Sequence, residues 1–216
     1  ASGKVIAVEI DNYVYHYLLE KYKYWKNLEL IQCDILKFNL PSYAYKVFAN
    51  IPFIITADII KKLTSDSNFQ EAYLIIQKEA AKKFIGMPYD SQNQMTSVLL
   101  RPWFDISIFW NFERTDFAPK PSIDITMIRI IRTQKPLIDK NNADLYRDFV
   151  IYRYNKSKVS KMKFEKLVSN FTSFVHRASD FEKQRVIKEA RRISALQKNI
   201  QKIHRTRTDR SWRKFK

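Results

Sequence analysis

Glycine is almost missing from this chain: among 216 residues there are two, Gly3 and Gly86. That scarcity excludes a P-loop, a G-x-G-x-x-G fingerprint and any collagen-like or glycine-linker segment within it. Cysteine is rarer still. Cys33 stands alone, so no internal disulfide framework or cysteine-based zinc cluster can form, and it reads as a buried strand residue. His16, His176 and His204 have neither the spacing nor the carboxylate neighbours of a metal site, and no metal is expected. No uninterrupted apolar run approaches ~18 residues, which removes a membrane span. The opening residues lack a signal-type apolar stretch, so a reducing, cytoplasmic setting is expected.

What is present is an ample core and an uneven charge. Apolar residues make up 45% and aromatics 14%, enough for one sizeable domain with a smaller one and too many for a disordered chain. Lys and Arg number 39 against 22 Asp and Glu, a net charge of +17. Residues 140–216 hold 22 of those cations and 7 of the acids, leaving 17 and 15 to residues 1–139. A near-neutral body with a basic appendage suits a polyanion, because neutralised phosphates release their counterions. A merely solvated helix face is the alternative reading. Membrane attachment would want a broad apolar face beside the charge.

Apolar patterning divides the chain into elements. Val5–Val8 reads as a buried strand, and Asp11 can cap a helix carrying Val14, Leu18 and Tyr22 on one face. Strands follow at Leu28–Cys33 and Tyr45–Ala49, then a helix with Ile55, Ile59, Ile60 and Leu63 inward. Ala72–Ile76 is a fourth strand, Glu79–Ile85 and Met95–Leu100 are helices, and Phe104–Phe109 and Ile125–Ile131 two final strands. This predicts an α/β fold: a mostly parallel sheet with a hairpin edge. Past Lys135-Pro136 the pattern turns wholly helical, with Phe164, Leu167, Phe171 and Val175 on one face. Ser179 and Glu182 form a capping box ahead of a helix bearing Val186, Ala190, Ile193, Ile200 and Ile203. The domain boundary falls near residue 135.

Ligands of open α/β sheets sit outside the carboxyl ends of the strands, where Glu9, Asp34 and Asn50 fall here. Such acids accept hydrogen bonds from ribose hydroxyls or an adenine amine, or cap the helix that follows; both readings stand. Asn50-Ile51-Pro52-Phe53 is more pointed. The carboxamide and the next backbone carbonyl can hold both hydrogens of an exocyclic amine while the aromatic ring stacks on the base. An ordinary Asn-x-Pro turn is the alternative.

These segments match a family when taken together. Glu9-Ile10-Asp11, Cys33-Asp34-Ile35, Asn50-Ile51-Pro52-Phe53, Gln77-Lys78-Glu79 and Phe117-Ala118-Pro119-Lys120-Pro121 lie in the order and spacing of the ribosomal RNA adenine N6-methyltransferases, the Erm and KsgA group, which this chain resembles over residues 5 to about 132. Ile51 and the stretch Trp103-Phe104-Asp105-Ile106 look more like Erm. The resemblance implies a Rossmann-like, S-adenosylmethionine-dependent methyltransferase domain over 1–135 and a small, basic, all-helical RNA-binding domain over 136–216. It implies N6-(di)methylation of an adenine in 23S rRNA, with resistance to macrolides, lincosamides and streptogramin B, by a monomer. Glu9-Ile10 and Asp34-Ile35 would bind the cofactor's ribose and adenine. Asn50, with the Ile51 carbonyl and Pro52, would hold its methionine end and the target amine. Phe53, where tyrosine is commoner, and Phe117 would stack on the target base, and Lys61, Lys82, Lys83 and Lys120 would meet RNA phosphates. No counterpart of the family's first strand, glycine-rich loop and following helix precedes Glu9; Ser2-Gly3-Lys4 reads as the turn before the family's second strand. The rival readings are a KsgA-type 16S rRNA dimethyltransferase, a DNA adenine methyltransferase and a non-catalytic nucleic-acid-binding protein of the same fold.

Overall fold

The computed structural model describes residues 3–86, 95–156 and 162–212, with side chains to residue 197, so Ser2 and the Ile200 and Ile203 side chains lie outside the described part. The chain opens with β1 (Val5–Glu9), α1 (Asn12–Lys21) and β2 (Leu28–Gln32), a right-sized unit for two parallel strands joined by a helix. β1 and β2 pair in parallel from Val5↔Leu28 to Glu9↔Gln32. Asp11 caps α1 as expected, its carboxylate accepting from Val14 N at 2.9 Å. The Val14 stripe of α1 forms and lies against β1 and β2, with Leu18 and Tyr22 half-buried, but no residue of the helix is fully buried.

Residues 33–44 cross to a second sheet, packing Ile35, Leu36 and Leu40 against its core. There follow β3 (Tyr45–Asn50), a 3-10 turn (Phe53–Ile55), α2 (Thr56–Ser65), β4 (Phe69–Gln77), α3 (Lys78–Ile85), α4 (Met95–Leu100), β5 (Phe104–Asn111) and β6 (Ile125–Arg132). The order is β3-β4-β6-β5. β3 and β4 are parallel, while the last strand inserts between β4 and β5 and runs antiparallel to both. Parallel pairing therefore holds at β1–β2 and β3–β4, with the predicted hairpin at the far edge. Ile59, Ile60 and Leu63 of α2 and Ala81 and Phe84 of α3 bury against Ala72, Leu74, Ile76, Ile128 and Ile130. Among the described residues no strand pairs with the free edge of β1 or the free edge of β3.

The helical part comprises α5 (Ala143–Lys156), α6 (Phe164–Arg177) and α7 (Asp180–Trp212). Its core of Tyr146, Phe149, Val150, Leu167, Phe171 and Val186 also takes in Val98 of α4 and Ile138. Trp103 spans the joint, packing on both cores and donating Nε1–H to the Ile138 carbonyl at 3.1 Å. The Ser179–Glu182 capping box is formed, with Ser179 N donating to Glu182 at 2.8 Å. No described helix is long and apolar enough to cross a membrane.

Candidate active site

Three strands end in a polar group: β1 at Glu9, β2 just before Asp34, and β3, on the second sheet, at Asn50. At the end of β1, Glu9 accepts from Asp11 N through Oε1 at 2.8 Å, leaving Oε2 with no partner among the described residues. At the end of β2, Asp34 accepts from Leu36 N through Oδ1 at 2.9 Å and likewise keeps Oδ2 free. Cys33 N donates to the Glu9 carbonyl at 3.0 Å, which holds the two tips side by side. Each acid thus uses one oxygen to shape its turn and has one to offer; neither caps α1, a role that belongs to Asp11. Ile10, beside Glu9, is 65% exposed and offers apolar surface at this strand end. Ile35 instead turns its side chain into the core of the larger sheet.

Asn50 ends β3 with its side chain exposed. Ile51 follows at 6% exposure, anchored in the core with its N–H directed to the Ile75 carbonyl at 3.4 Å. Its side chain is structural, so only its carbonyl is available to a ligand. Pro52 fixes φ at −60°, and Ile55 N donates back to its carbonyl at 3.1 Å, closing the turn on which Phe53 lies half-buried. Thr56, at the start of α2, is buried with its hydroxyl unpartnered.

Phe117 lies in the β5–β6 loop, at the Asn50 end of the larger sheet. That end is shared because Gln77, ending β4, is the register partner of Ile125 at the start of β6. The loop is braced at both ends: Arg114 donates to Asp124 through Nε at 3.1 Å and a terminal nitrogen at 2.8 Å. Hydrogen bonding to Arg114, then its charge, holds the Asp124 carboxyl below the usual aspartate range. Asp124 in turn accepts from Lys78 N through its carbonyl at 2.9 Å, which ties the loop to α3. Phe117 is half-buried against Phe112, ring centroids 5.3 Å apart and edge to face. Phe112 carried no signal in the sequence, where it reads only as the end of an apolar strand.

The four lysines do not form one patch. Lys61 and Lys83 line a groove of about 840 Å³ between α2, α3, α4 and the linker, with Trp103, Phe104 and Lys140. Lys82 points elsewhere, paired with Glu79 at 2.6 Å, and Lys120 is exposed on the Phe117 loop. Asn50, Glu9 and Asp34 do not line that groove.

Parallel strands with acids at their carboxyl ends, followed by an antiparallel closing hairpin, fit a Rossmann-like fold with its ligand outside those strand ends. The chain belongs to the ribosomal RNA adenine dimethylase family, whose model matches residues 1–201. An rRNA adenine N-6-methyltransferase of Bacillus licheniformis is 34% identical over 155 residues, 70% of this chain and 52% of the relative. A ribosomal RNA small subunit methyltransferase A of Caldanaerobacter subterraneus subsp. tengcongensis is 28% identical, covering 68% of this chain and 58% of the relative. The fold is shared with the crystal structure of 23S rRNA methyltransferase ErmE, at a TM-score of 0.65 and 23% identity, covering 77% of this chain and 66% of that one. The chain spans about half the length of curated relatives such as the Bacillus licheniformis enzyme.

The methyl donor of the family is S-adenosylmethionine. The free oxygens of Glu9 and Asp34 suit hydroxyl and amino donors, so the nucleoside end of that molecule fits the residues present. A glycine-rich backbone cradle for its methionine end is not found among the described residues, where the glycines are Gly3 and Gly86.

Proposed function

We propose that the whole protein transfers methyl groups from S-adenosylmethionine to N6 of an adenine in ribosomal RNA, and that its target lies in 23S rRNA. The observation that carries this reading is the exposed Asn50 carboxamide at the carboxyl end of β3, with Glu9 and Asp34 each keeping a free oxygen at the ends of β1 and β2. Macrolide, lincosamide and streptogramin B resistance would be the consequence of that target. The Ile51 and Trp103–Ile106 signatures support 23S over 16S rRNA, and the relative named as a small-subunit enzyme marks the competing reading.

An adenine amine is a weak nucleophile because its lone pair conjugates into the ring. The bound cofactor supplies an already electrophilic methyl, so the protein needs no strong base. Its residues orient. The Asn50 side-chain carbonyl and the Ile51 backbone carbonyl accept the two N–H groups and draw the lone pair out of the ring plane. Alignment of this sort lowers a barrier by about 7 kcal/mol or more. Extruding the base costs a few kcal/mol, which stacking on Phe53 and Phe117 at ~1–3 kcal/mol each offsets. Lys61, Lys83 and Lys120 hold phosphates and set register without reading sequence. Basic α7 adds to that affinity.

The test is labelled methyl transfer to total ribosomal RNA by the whole protein. Label in 23S and not 16S rRNA is expected; label in 16S rRNA alone would transfer the assignment to the small subunit. Asn50→Ala is expected to reduce transfer by roughly a hundredfold or more, the order that follows from removing one orienting acceptor, while binding rRNA as before. Wild-type turnover by that variant would remove Asn50 from the chemistry.

A further inference from the structure

Ile54 is 93% exposed, the most exposed large apolar residue described in the chain. Single exposed aliphatics are common and need no explanation by themselves. This one differs in how it is held. Its turn is fixed by Pro52, by the Ile55 N–H to Pro52 carbonyl bond, and by buried Ile51 and Thr56 on either side. Ile55 packs against the core, so the 3-10 geometry forces its neighbour outward. A β-branched side chain has little rotamer freedom, so what projects is a stiff apolar peg, one residue from Phe53 and four from Asn50.

Proteins that open nucleic-acid stacks insert this kind of group: an aliphatic wedge between bases, held on a rigid element. A polar residue at the same point would be better solvated in the free protein and would lose that solvation on entering a stack. We infer that Ile54 is a wedge that enters the RNA stack next to the target adenine and fills the space the extruded base leaves. It is a positioning residue: it acts on the base's location, and the amine is handled by Asn50. The inference rests on the base-extruding methyltransferase reading given above.

The experiment uses the whole protein and an rRNA hairpin carrying 2-aminopurine at the target position, whose emission rises on unstacking. Ile54→Ala and Ile54→Ser are expected to reduce that rise severalfold at saturating protein, with Ile54→Leu retaining it. On the adenine hairpin, Ile54→Ala should slow methyl transfer about tenfold or more, by the loss of one wedge at a base step. On a hairpin with an abasic site beside the target, already unstacked, the rate should return to within about twofold of wild type. The side chain touches solvent, so an unchanged unfolding midpoint is expected and separates the effect from misfolding. Wild-type emission and rate for Ile54→Ala, or equal slowing on both hairpins, would overturn the wedge. Asn50→Ala should keep the emission rise while losing transfer. If it instead methylates normally, the site reading falls whatever Ile54 does.

Discussion

Glu71 is held firmly in its ionised form. Its buried carboxylate accepts from Lys46 at 2.8 Å, Arg129 at 2.7 Å and the Tyr73 hydroxyl at 2.9 Å. Those hydrogen bonds, Lys46 first, then Arg129 and Tyr73, take its pKa from 4.5 down to about 2. A depressed carboxylate stabilises the fold above its unfolded pKa, and that part disappears as pH falls from about 4.5 toward 2. Urea unfolding of wild type is expected to weaken steeply between about pH 5 and 2.5 on this account, and Glu71→Gln to show a flatter acid limb from a lower start. Parallel curves would exclude the cluster as a source of acid lability. At this scale the sequence was readable where a residue type has one job at one place: Asn50 at a strand end, Asp11 as a cap. It was silent on Glu71, whose partners come from β3, β4 and β6, and on Ile54, because an isoleucine beside a core segment looks like core.

Among the elements, the α3–α4 approach depends on one residue. Gly86 closes α3 in the left-handed region, at φ 62°, with its N–H donating to the Lys82 carbonyl at 3.1 Å. A side chain there would also collide with Ser97 in α4. Gly86→Ala is expected to cost at least ~1–2 kcal/mol from the backbone alone, with the steric cost on top. Measured against Ser97→Gly, the double variant should lose only the backbone part; chemical denaturation of the three proteins checks this. If Gly86→Ala is neutral, the turn is not held as described. Element type was legible from periodicity throughout residues 5–132, since alternating and 3.6-residue patterns differ plainly in β4 and α2. Strand order was not. Nothing in the Ile125–Arg132 run says that it inserts between β4 and β5, because both neighbours would bury the same residues. Nor does the Val14 stripe of α1 announce that it is left only half-covered here.

For the whole molecule the governing feature is separation of the charge from the strand-end acceptors. Residues 140–216 carry 22 of the 39 cations, yet the strand-end acceptors lie in the first 50 residues. Affinity and turnover should therefore respond to different changes. Arg185, Lys188 and Arg191 are exposed on α7. Replacing all three with glutamine is expected to lower the log–log salt slope of rRNA binding by about 2–3 units, at roughly 0.7–0.9 for each phosphate no longer neutralised. The rate at saturating rRNA should not change. An unaltered slope would make that helix a solvated surface. The uneven charge was visible in composition alone, whereas the joint was not: Val98 belongs to the helical core and Trp103 packs on both cores although they precede the linker.

No ladder ties β1 to β3 among the described residues, and the crossing segment 33–44 joins the two sheets, with Ile35, Leu36 and Leu40 packed on the larger core. That segment is fastened by Lys62, whose ammonium donates to the Leu36 carbonyl at 3.0 Å and the Phe38 carbonyl at 2.6 Å. One cation of α2 therefore acts as a rivet between that segment and the helix that follows β3. In the reaction proposed above, the alignment of methyl and amine would depend on a residue outside the strand ends.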